Sequence, residues 1–428
     1  MNTPNNLARR ARCVNTPVPG SLLTPLAEAP RDLPPVAWKP TPGGTVPYIS
    51  VIVPVRNEAS HIQRTLTQLL TQEYDSQRYE VIVVDGQSTD GTWDTVAALQ
   101  EKYANLRLLP NPQRWSSAAR NVAIRAAQGD ILIVIDGHCE VDDSVYLIHL
   151  AHAFERSGAD CVGRPQPLDV SGATVFQRAV ALARSSRLGH HPDSLIYNDV
   201  EQYVPPESVA VAYRREVFAR IGLFDESFDA CEDVELNHRV AHAGMTCFFT
   251  PRLQVRYVPR NSLSGLFRQM VRYGRGRYRL LRKHSDTFSF SCLLPAVFLS
   301  GLAIVPSFAW VSRWLLAGYL SALGLYLLTV LSFSLAIAFR AAGQFRSLRD
   351  FGRFVGWLPL VFATVHVGAG AGILQEMAAE GWSKIKRALG LEQRSSEDMI
   401  RVLAWRARAD NLPESVVSPD DVPQSLAG

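Results

Sequence analysis

Apolar residues along this chain fall into short blocks, helical stripes and long uninterrupted runs. The short blocks come first, and each ends in polar residues. Ile49 to Val53 runs into Pro54-Val55-Arg56-Asn57-Glu58, and Glu80 to Val84 runs into Asp85-Gly86-Gln87-Ser88-Thr89-Asp90-Gly91-Thr92. Ile131-Leu132-Ile133-Val134-Ile135 runs into Asp136-Gly137-His138. Branched apolar blocks of this length suit parallel strands buried on both faces. Between them, Ile62, Leu66 and Leu69, then Trp93, Val96, Leu99 and Tyr103, recur at helical spacing. Ser88, Thr89 and Asp90 are N-cap candidates for the second of these helices. The repeated order of strand, loop and helix predicts an open α/β sheet, whose carboxyl edge is where ligands bind.

The long runs lie in the second half, at 289–311, Trp314 to Phe339 and Phe354 to Leu374. Each approaches the roughly 20 residues needed to cross a bilayer. The second contains no charged residue, whereas the third contains His366 and several glycines. A buried soluble hairpin is the alternative for the first two.

These patterns divide the chain into a leader (1–46), a mixed α/β domain (47–260), a basic interfacial helix (261–287), a membrane region (288–375) and a polar tail (376–428). The leader is rich in Pro, Thr and Asn and lacks a signal-peptide core, so it reads as disordered. Arg279, Arg282 and Lys283 precede the first long run, and Arg340, Arg346, Arg349 and Arg353 follow the second. The positive-inside trend puts both flanks in the cytoplasm and leaves Ser312-Arg313 as a tight outer turn. A fully spanning third run would carry Lys384, Lys386 and Arg387 outside, which a re-entrant segment would avoid. Three full spans are the expectation, with Gly368, Gly370 and Gly372 allowing close helix packing.

Length and charge narrow the function. A chain of 428 residues with net charge +4 is too weakly basic to argue for nucleic acid, and no nucleic-acid motif stands out. Seven basic residues between 268 and 283 sit beside the apolar region, where anionic headgroups are the natural partner. Six cysteines, at 13, 139, 161, 231, 247 and 292, form no CxxC pair, so reduced thiols are expected.

The chemistry centres on Asp136 and His138. An acid and an imidazole emerging from one strand end, with Gly137 between them, suit a divalent cation, and a cation suits a diphosphate. Glu140, Asp142 and Asp143 follow and read as a solvated helix start.

The segments VIVPVRNE (51–58), VIVVDGQSTDGT (81–92), ARNVAIRAAQGDILIVIDGH (119–138), YRREVFARIGLFDE (213–226) and EDVELNHRVAHAG (232–244) resemble family 2 glycosyltransferases with a GT-A fold, in the family's order. The chain is most similar to bacterial succinoglycan-type membrane glucosyltransferases. These carry His in place of the second acid of the DxD motif, and an arrangement like RQMVRYGRGRYRLLRKH (268–284) before C-terminal membrane helices.

The resemblance implies a nucleotide-sugar-binding Rossmann-like domain followed by transmembrane helices. It also implies a multi-pass protein of the bacterial inner membrane with a cytoplasmic catalytic domain. Asp85 would bind the uracil or ribose of a UDP-sugar; the alternative is a turn-forming Asp that caps the following helix. Pro54, Arg56 and Glu58 would line the nucleotide end, with Arg56 standing where many relatives have an aromatic residue. Asp136 and His138 would hold manganese or magnesium; alternatively, His138 hydrogen-bonds substrate or backbone.

Arg120, beside Asn121 near the head of a helix, would contact phosphate or form a surface salt bridge. Asp233 would be the general base of an inverting transfer, with Glu232 orienting it or the acceptor. Without the resemblance, the two acids also read as a helix start favoured by the macrodipole. Gln269, Arg272 and Tyr273 resemble a degenerate QxxRW motif that holds the acceptor end and the donor diphosphate, on a helix equally suited to anchoring at the bilayer surface.

The activity implied is transfer of a hexose, glucose foremost, from a UDP-sugar to a polyprenyl-diphosphate-linked saccharide in exopolysaccharide synthesis. A processive synthase, a polyprenyl-monophosphate glycosyltransferase and a catalytically silent membrane scaffold are the alternatives. A dinucleotide dehydrogenase fits poorly, because the first strand is followed by PVRNE rather than GxGxxG.

Overall fold

A computed structural model describes residues 46–168, 170–190, 195–196, 199–308, 312–345 and 347–389. The expected leader, apart from residue 46, and most of the expected tail lie outside the described residues. The first part alternates as expected: β1 (Ile49–Val55), α1 (Ile62–Leu70), β2 (Tyr79–Asp85), α2 (Thr92–Gln100), β3 (Leu106–Pro110), α3 (Ser116–Ala126) and β4 (Ile131–Val134). The order 3-2-1-4 is parallel throughout. Ile49, Val51 and Val53 pack on one face with Ile62, Leu66 and Leu69, and Ile52 packs on the other with Ala119 and Ala123. Double coverage is why these strands carry no polar alternation.

The rest of the domain is mixed. It comprises β5 (Cys139–Glu140), α4 (Tyr146–Ser157), β6 (Cys161–Gly163), α5 (Val175–Arg184), β7 (Gln202–Val204), the single turn α6 (Pro206–Val209), β8 (Ala210–Arg214), α7 (Arg215–Ile221), α8 (Glu232–His242), β9 (Cys247–Phe249) and β10 (Arg256–Tyr257). Strand β8 extends the sheet antiparallel to β4, and β6, β9 and β7 complete an eight-stranded order 3-2-1-4-8-6-9-7. Strands β5 and β10 form a separate antiparallel ribbon pairing Tyr257 with Cys139.

Two local expectations need correction. The cap of α2 is Gly91, in the left-handed region at φ 91°, rather than Ser88, Thr89 or Asp90. Asp90 still accepts from the Thr92 amide at 3.1 Å, but Ser88 and Thr89 bond elsewhere. Glu140 and Asp142 are not a helix start. Glu140 lies in β5 and pairs with Arg64 and Arg256, and Asp142 pairs with Arg256 and accepts from Gln68. Only Asp143 behaves as read, accepting from the Val145 amide just before α4.

Four further helices follow: α9 (Leu263–Lys283), α10 (Phe290–Phe308), α11 (Arg313–Ala341) and α12 (Leu348–Ala388). Three are long and apolar enough to cross a membrane: Phe290–Phe308, Arg313–Gln344 and Leu348–Ala388, with mean hydropathies of 1.9, 2.1 and 1.6. Phe290, Trp314 and Phe339 are exposed on the first two, as side chains facing lipid would be. Helix α12 runs unbroken through Phe354–Leu374. Phe354, Leu358 and Phe362 of α12 pack with Ala179 and Val180 of α5 and with Leu266 and Met270 of α9.

The chain divides into two compact units inside α12, after Ile373. The described part of the second unit is helical to Ala388 and carries a Lys384–Glu380 pair at 2.8 Å.

Candidate active site

The carboxyl edge of the parallel strands is stitched together by its own polar motifs. The Asn57 amide donates to Ser88 Oγ at 2.8 Å, the Glu58 amide to Thr92 Oγ1 at 2.8 Å and the Ala59 amide to Asp90 at 3.0 Å. The Thr89 amide returns a bond to Asn57 Oδ1 at 2.8 Å. Much of the DGQSTDGT segment therefore positions the loop after β1. Among the described residues, four non-glycines hold a positive φ: Asn57, Gln87, Arg114 and Cys231, which lie after β1, after β2, before α3 and before α8. Strained conformations gathered at one edge mark a site whose shape is imposed by its surroundings.

Asp85 is buried at the end of β2, and both its oxygens accept from Ser88, at 2.9 Å from the amide and 2.5 Å from the hydroxyl. That is the turn-forming role. Pro54 is half-buried and Arg56 exposed at the adjacent strand end.

The deeper part of the cleft is a chain of charge. Arg120 is buried in the second turn of α3, not at the head of the helix or on the surface. Its Nη2 lies 3.2 Å from Glu232 Oε1 and 3.9 Å from Asp136 Oδ1, and its guanidinium packs over the Phe224 ring. Burial would lower its pKa, but Glu232, Asp136 and Asp233 raise it, so it stays charged. Acids 136 and 232, almost a hundred positions apart, thus pair with one cation.

Asp136 also accepts from the Tyr257 hydroxyl at 3.1 Å. Burial pushes its carboxyl up, but His138, Arg120 and Tyr257 together hold it below the usual carboxylate range. His138 Nδ1 lies 3.0 Å from Glu58 Oε1. Burial opposes protonation of this imidazole, yet the hydrogen bond to Glu58 and the charge of Asp136 raise its pKa. In the neutral ring, Glu58 fixes the proton on Nδ1 and leaves Nε2 as a lone pair, the arrangement of a metal-ligating histidine. An oxygen and a nitrogen donor on one short turn fit a divalent cation.

The two acids opening α8 differ. Glu232 is buried and committed to Arg120; burial and the neighbouring Asp233 raise its pKa while Arg120 opposes. Asp233 is exposed, and Oδ1 accepts from the Val234 amide at 2.9 Å.

The loop ahead of these acids is pinned from two sides. From α3, Asn121 bonds the Phe224 carbonyl, the Phe224 amide and Glu226, and Ser117 bonds the Phe228 carbonyl. From α9, Arg272 donates to the Asp229 carbonyl at 2.6 Å and Arg279 to the Asp229 carboxylate at 2.7 Å. Lys283 bridges Asp225 and Glu235. Gly276 lets α9 approach the Ala230 carbonyl, and Gly274 and Gly372 let α9 and α12 cross backbone to backbone. Three of the bases read as headgroup contacts, Arg272, Arg279 and Lys283, thus hold protein. Gln269 donates to the Tyr273 hydroxyl on its own helix at 3.3 Å.

Two residues escaped the sequence reading. Tyr257 had no signal, since it reaches Asp136 only through the β5–β10 ribbon. Arg164, almost fully buried, leaves Nε and Nη1 without hydrogen-bond partners among the described residues and lowers the pKa of Asp136. A charged residue one glycine beyond the apolar pair Cys161-Val162 was its one trace.

A cleft at the carboxyl edge of a parallel sheet, with an Asp-x-His turn facing an acid-led helix, defines a sugar-transfer class. The Glycosyl transferase family 2 pattern matches residues 50–221, and the Glycosyl transferase family group 2 pattern matches 143–341. The chain belongs to glycosyltransferase family 2, is an enzyme of that family and has its GT-A fold.

Among particular relatives, the succinoglycan biosynthesis protein ExoA of Rhizobium meliloti is 32% identical over 323 residues, covering 71% of this chain and 96% of that protein. The dolichyl N-acetyl-alpha-D-glucosaminyl phosphate 3-beta-D-2,3-diacetamido-2,3-dideoxy-beta-D-glucuronosyltransferase of Methanococcus voltae is 25% identical, covering 60% of this chain and 83% of that protein. Of the solved structures, the mannosyltransferase PcManGT of Pyrobaculum calidifontis, in complex with GDP-Man and Mn2+, covers 79% of this chain and 89% of its own at 20% identity, with a TM-score of 0.47.

Proposed function

We propose that this enzyme transfers a single hexose, glucose foremost, with inversion from a UDP-sugar to a polyprenyl-diphosphate-linked saccharide at the cytoplasmic face of a bacterial inner membrane. The reading rests most on one observation: the Arg120 guanidinium spans the Asp136 strand end and the Glu232 helix start, so donor and acceptor groups share one cleft.

Asp136 and His138 would hold a manganese or magnesium ion, with Glu58 orienting the imidazole. Bound there, the ion would neutralise the charge developing on the leaving diphosphate. Asp233 accepts the proton of the acceptor hydroxyl as that oxygen attacks the anomeric carbon. The bond from that carbon to the diphosphate oxygen breaks on the opposite face, the nucleoside diphosphate departs and configuration inverts. Arg120 and Glu232 are positioning residues that keep Asp136 and the start of α8 in register. Pro54, Arg56 and Asp85 form the nucleotide end, with Asp85 shaping the loop through Ser88. Arg272 acts on the acceptor side through the Asp229 carbonyl, and Gln269 lies on the same helix.

The lipid-linked acceptor is supported by the three helices long and apolar enough to span a bilayer, and by the dolichyl phosphate in the Methanococcus voltae relative's name. The glycan context is supported by the ExoA relative.

The test is to incubate membranes containing the protein with radiolabelled UDP-glucose and to extract the lipids. One added sugar on a lipid-diphosphate saccharide is expected, lost in Asp136→Ala and Asp233→Asn. A long product ladder, a product on bare lipid phosphate, or no transfer from any UDP-, GDP- or dTDP-sugar would each overturn the reading.

A further inference from the structure

Beyond the sugar-transfer cleft, α8 carries a second cluster of ligand-type side chains. His238 and His242 stand one turn apart on that helix. Asp286, two residues past His284, reaches back to both: its Oδ2 lies 3.4 Å from His238 Nε2 and 2.9 Å from His242 Nε2. His284, at the end of α9, and Glu207, in α6, complete the surroundings. Ligand atoms of Glu207, His238 and His242 lie within 4.8 Å of one another, as do those of His238, His284 and Asp286. The rings of His242 and His284 are 4.0 and 4.4 Å from that of His238.

We propose that His238, His242 and Asp286 form the core of a structural zinc site, with Glu207 or His284 as the fourth ligand, clamping α8 to the end of α9. Ligands about 2.0–2.2 Å from a tetrahedral zinc stand roughly 3.3–3.5 Å apart. The His238–Asp286 separation of 3.4 Å falls in that range, and the His242–Asp286 separation of 2.9 Å lies a few tenths of an ångström short of it.

The hydrogen bonds outside the cluster also suit a metal. His242 Nδ1 lies 3.1 Å from the His238 carbonyl, which can accept only if Nδ1 carries the proton, so Nε2 is left with its lone pair. His284 Nε2 is held by the buried Glu235 carboxylate at 3.0 Å. An imidazole bonded at one nitrogen by a carbonyl or carboxylate and free at the other is the usual outer support of a metal ligand. An imidazole-rich set favours zinc over magnesium, which separates this site from the diphosphate site at the other end of α8.

The placement gives the metal its role. Glu232 and Asp233 open α8, while His238 and His242 occupy its later turns. His284 and Asp286 begin the segment that leads from α9 to α10. A zinc ion would therefore fix the catalytic helix to the start of the membrane region, alongside the Lys283 bridge to Asp225 and Glu235.

The test uses full-length protein in detergent without a polyhistidine tag. The protein is stripped with a chelator, reloaded with zinc, desalted and assayed for metal by mass spectrometry. About one zinc per chain is expected, with at least tenfold weaker retention in His242→Ala and in Asp286→Ala. Asp136→Ala should retain zinc fully. Cobalt(II) should give the visible absorption of a tetrahedral site in the parent and not in His242→Ala. Both altered residues are largely exposed, and undiminished UDP binding would verify the fold of each variant. Zinc should also raise the melting temperature of the parent but not of His242→Ala. Parent protein with no zinc above buffer, equal retention in His242→Ala, or zinc lost through Asp136→Ala would overturn the proposal.

Discussion

The two halves of the catalytic cleft are built on different principles. The donor half, from β1 to β4, is an all-parallel sheet whose loops are joined by short side chains from neighbouring strand ends, such as Ser88, Asp90 and Thr92. The acceptor half, around α8, is held from outside: α3 supplies Ser117 and Asn121, and α9 supplies Arg272, Arg279 and Lys283. The donor half is thus self-supporting, while the acceptor half depends on a helix that belongs to the membrane end of the chain. Binding the nucleotide-sugar and aligning the acceptor should therefore be separable by mutation.

The largest separation is expected from Asp233→Asn. Loss of a general base lowers turnover by roughly 10²–10⁴-fold, and calorimetry should find UDP-sugar affinity unchanged. Equal loss of affinity would mean that the two halves act as one. Asp136→Ala should do the reverse first, weakening manganese-dependent UDP-sugar binding about tenfold or more, or at least 1.4 kcal/mol.

A third substitution probes the support of the acceptor half. A Cβ at Gly372 would collide with the Val271 carbonyl of α9, whereas a Cβ at Gly356 meets nothing within 4 Å. Gly372→Ala should cost about 1–3 kcal/mol, read as a lower melting temperature in detergent, and should reduce transfer more than UDP binding. Gly356→Ala should be neutral or slightly stabilising, because alanine favours helix over glycine by up to ~1 kcal/mol.

The smallest effect concerns pH. The His138 pKa is raised above its usual 6.5, so the imidazole keeps its second proton to higher pH and cannot ligate while it does. Manganese-dependent donor binding should fall as pH drops through that raised value and recover above it. In His138→Asp the limb should leave the neutral range, because a carboxylate loses its proton near pH ~4. A limb unmoved by the substitution would show that His138 is no ligand.

The same contrast explains what the sequence revealed. Strands β1, β2 and β4 were legible because burial on both faces writes itself as unbroken apolar runs, and Asp136 and His138 were legible because they end such a run. Strands β5 to β10 have two to five residues each, too short for a period to declare itself. Tyr257 and Arg164 depend on contacts that no local pattern encodes. Arg120 was visible as a candidate, but its burial was not, since an arginine in a helix is ordinarily at the surface. The inward contacts of Arg272, Arg279 and Lys283 on α9 were hidden for a related reason. A basic amphipathic helix is a good headgroup binder in isolation, and only the acids at 225, 229 and 235 turn it inward.

The Tyr257 bond to Asp136 ties together positions separated by 121 residues, and the Arg120–Glu232 pair closes a loop of similar length. A ribosome making this protein from its amino end would finish the metal-binding turn early but could not lock it until the last ribbon strand had emerged. The enzyme would therefore fall silent if truncated anywhere before that strand. Its first competent moment would coincide with the arrival of the helix that carries the chain toward lipid.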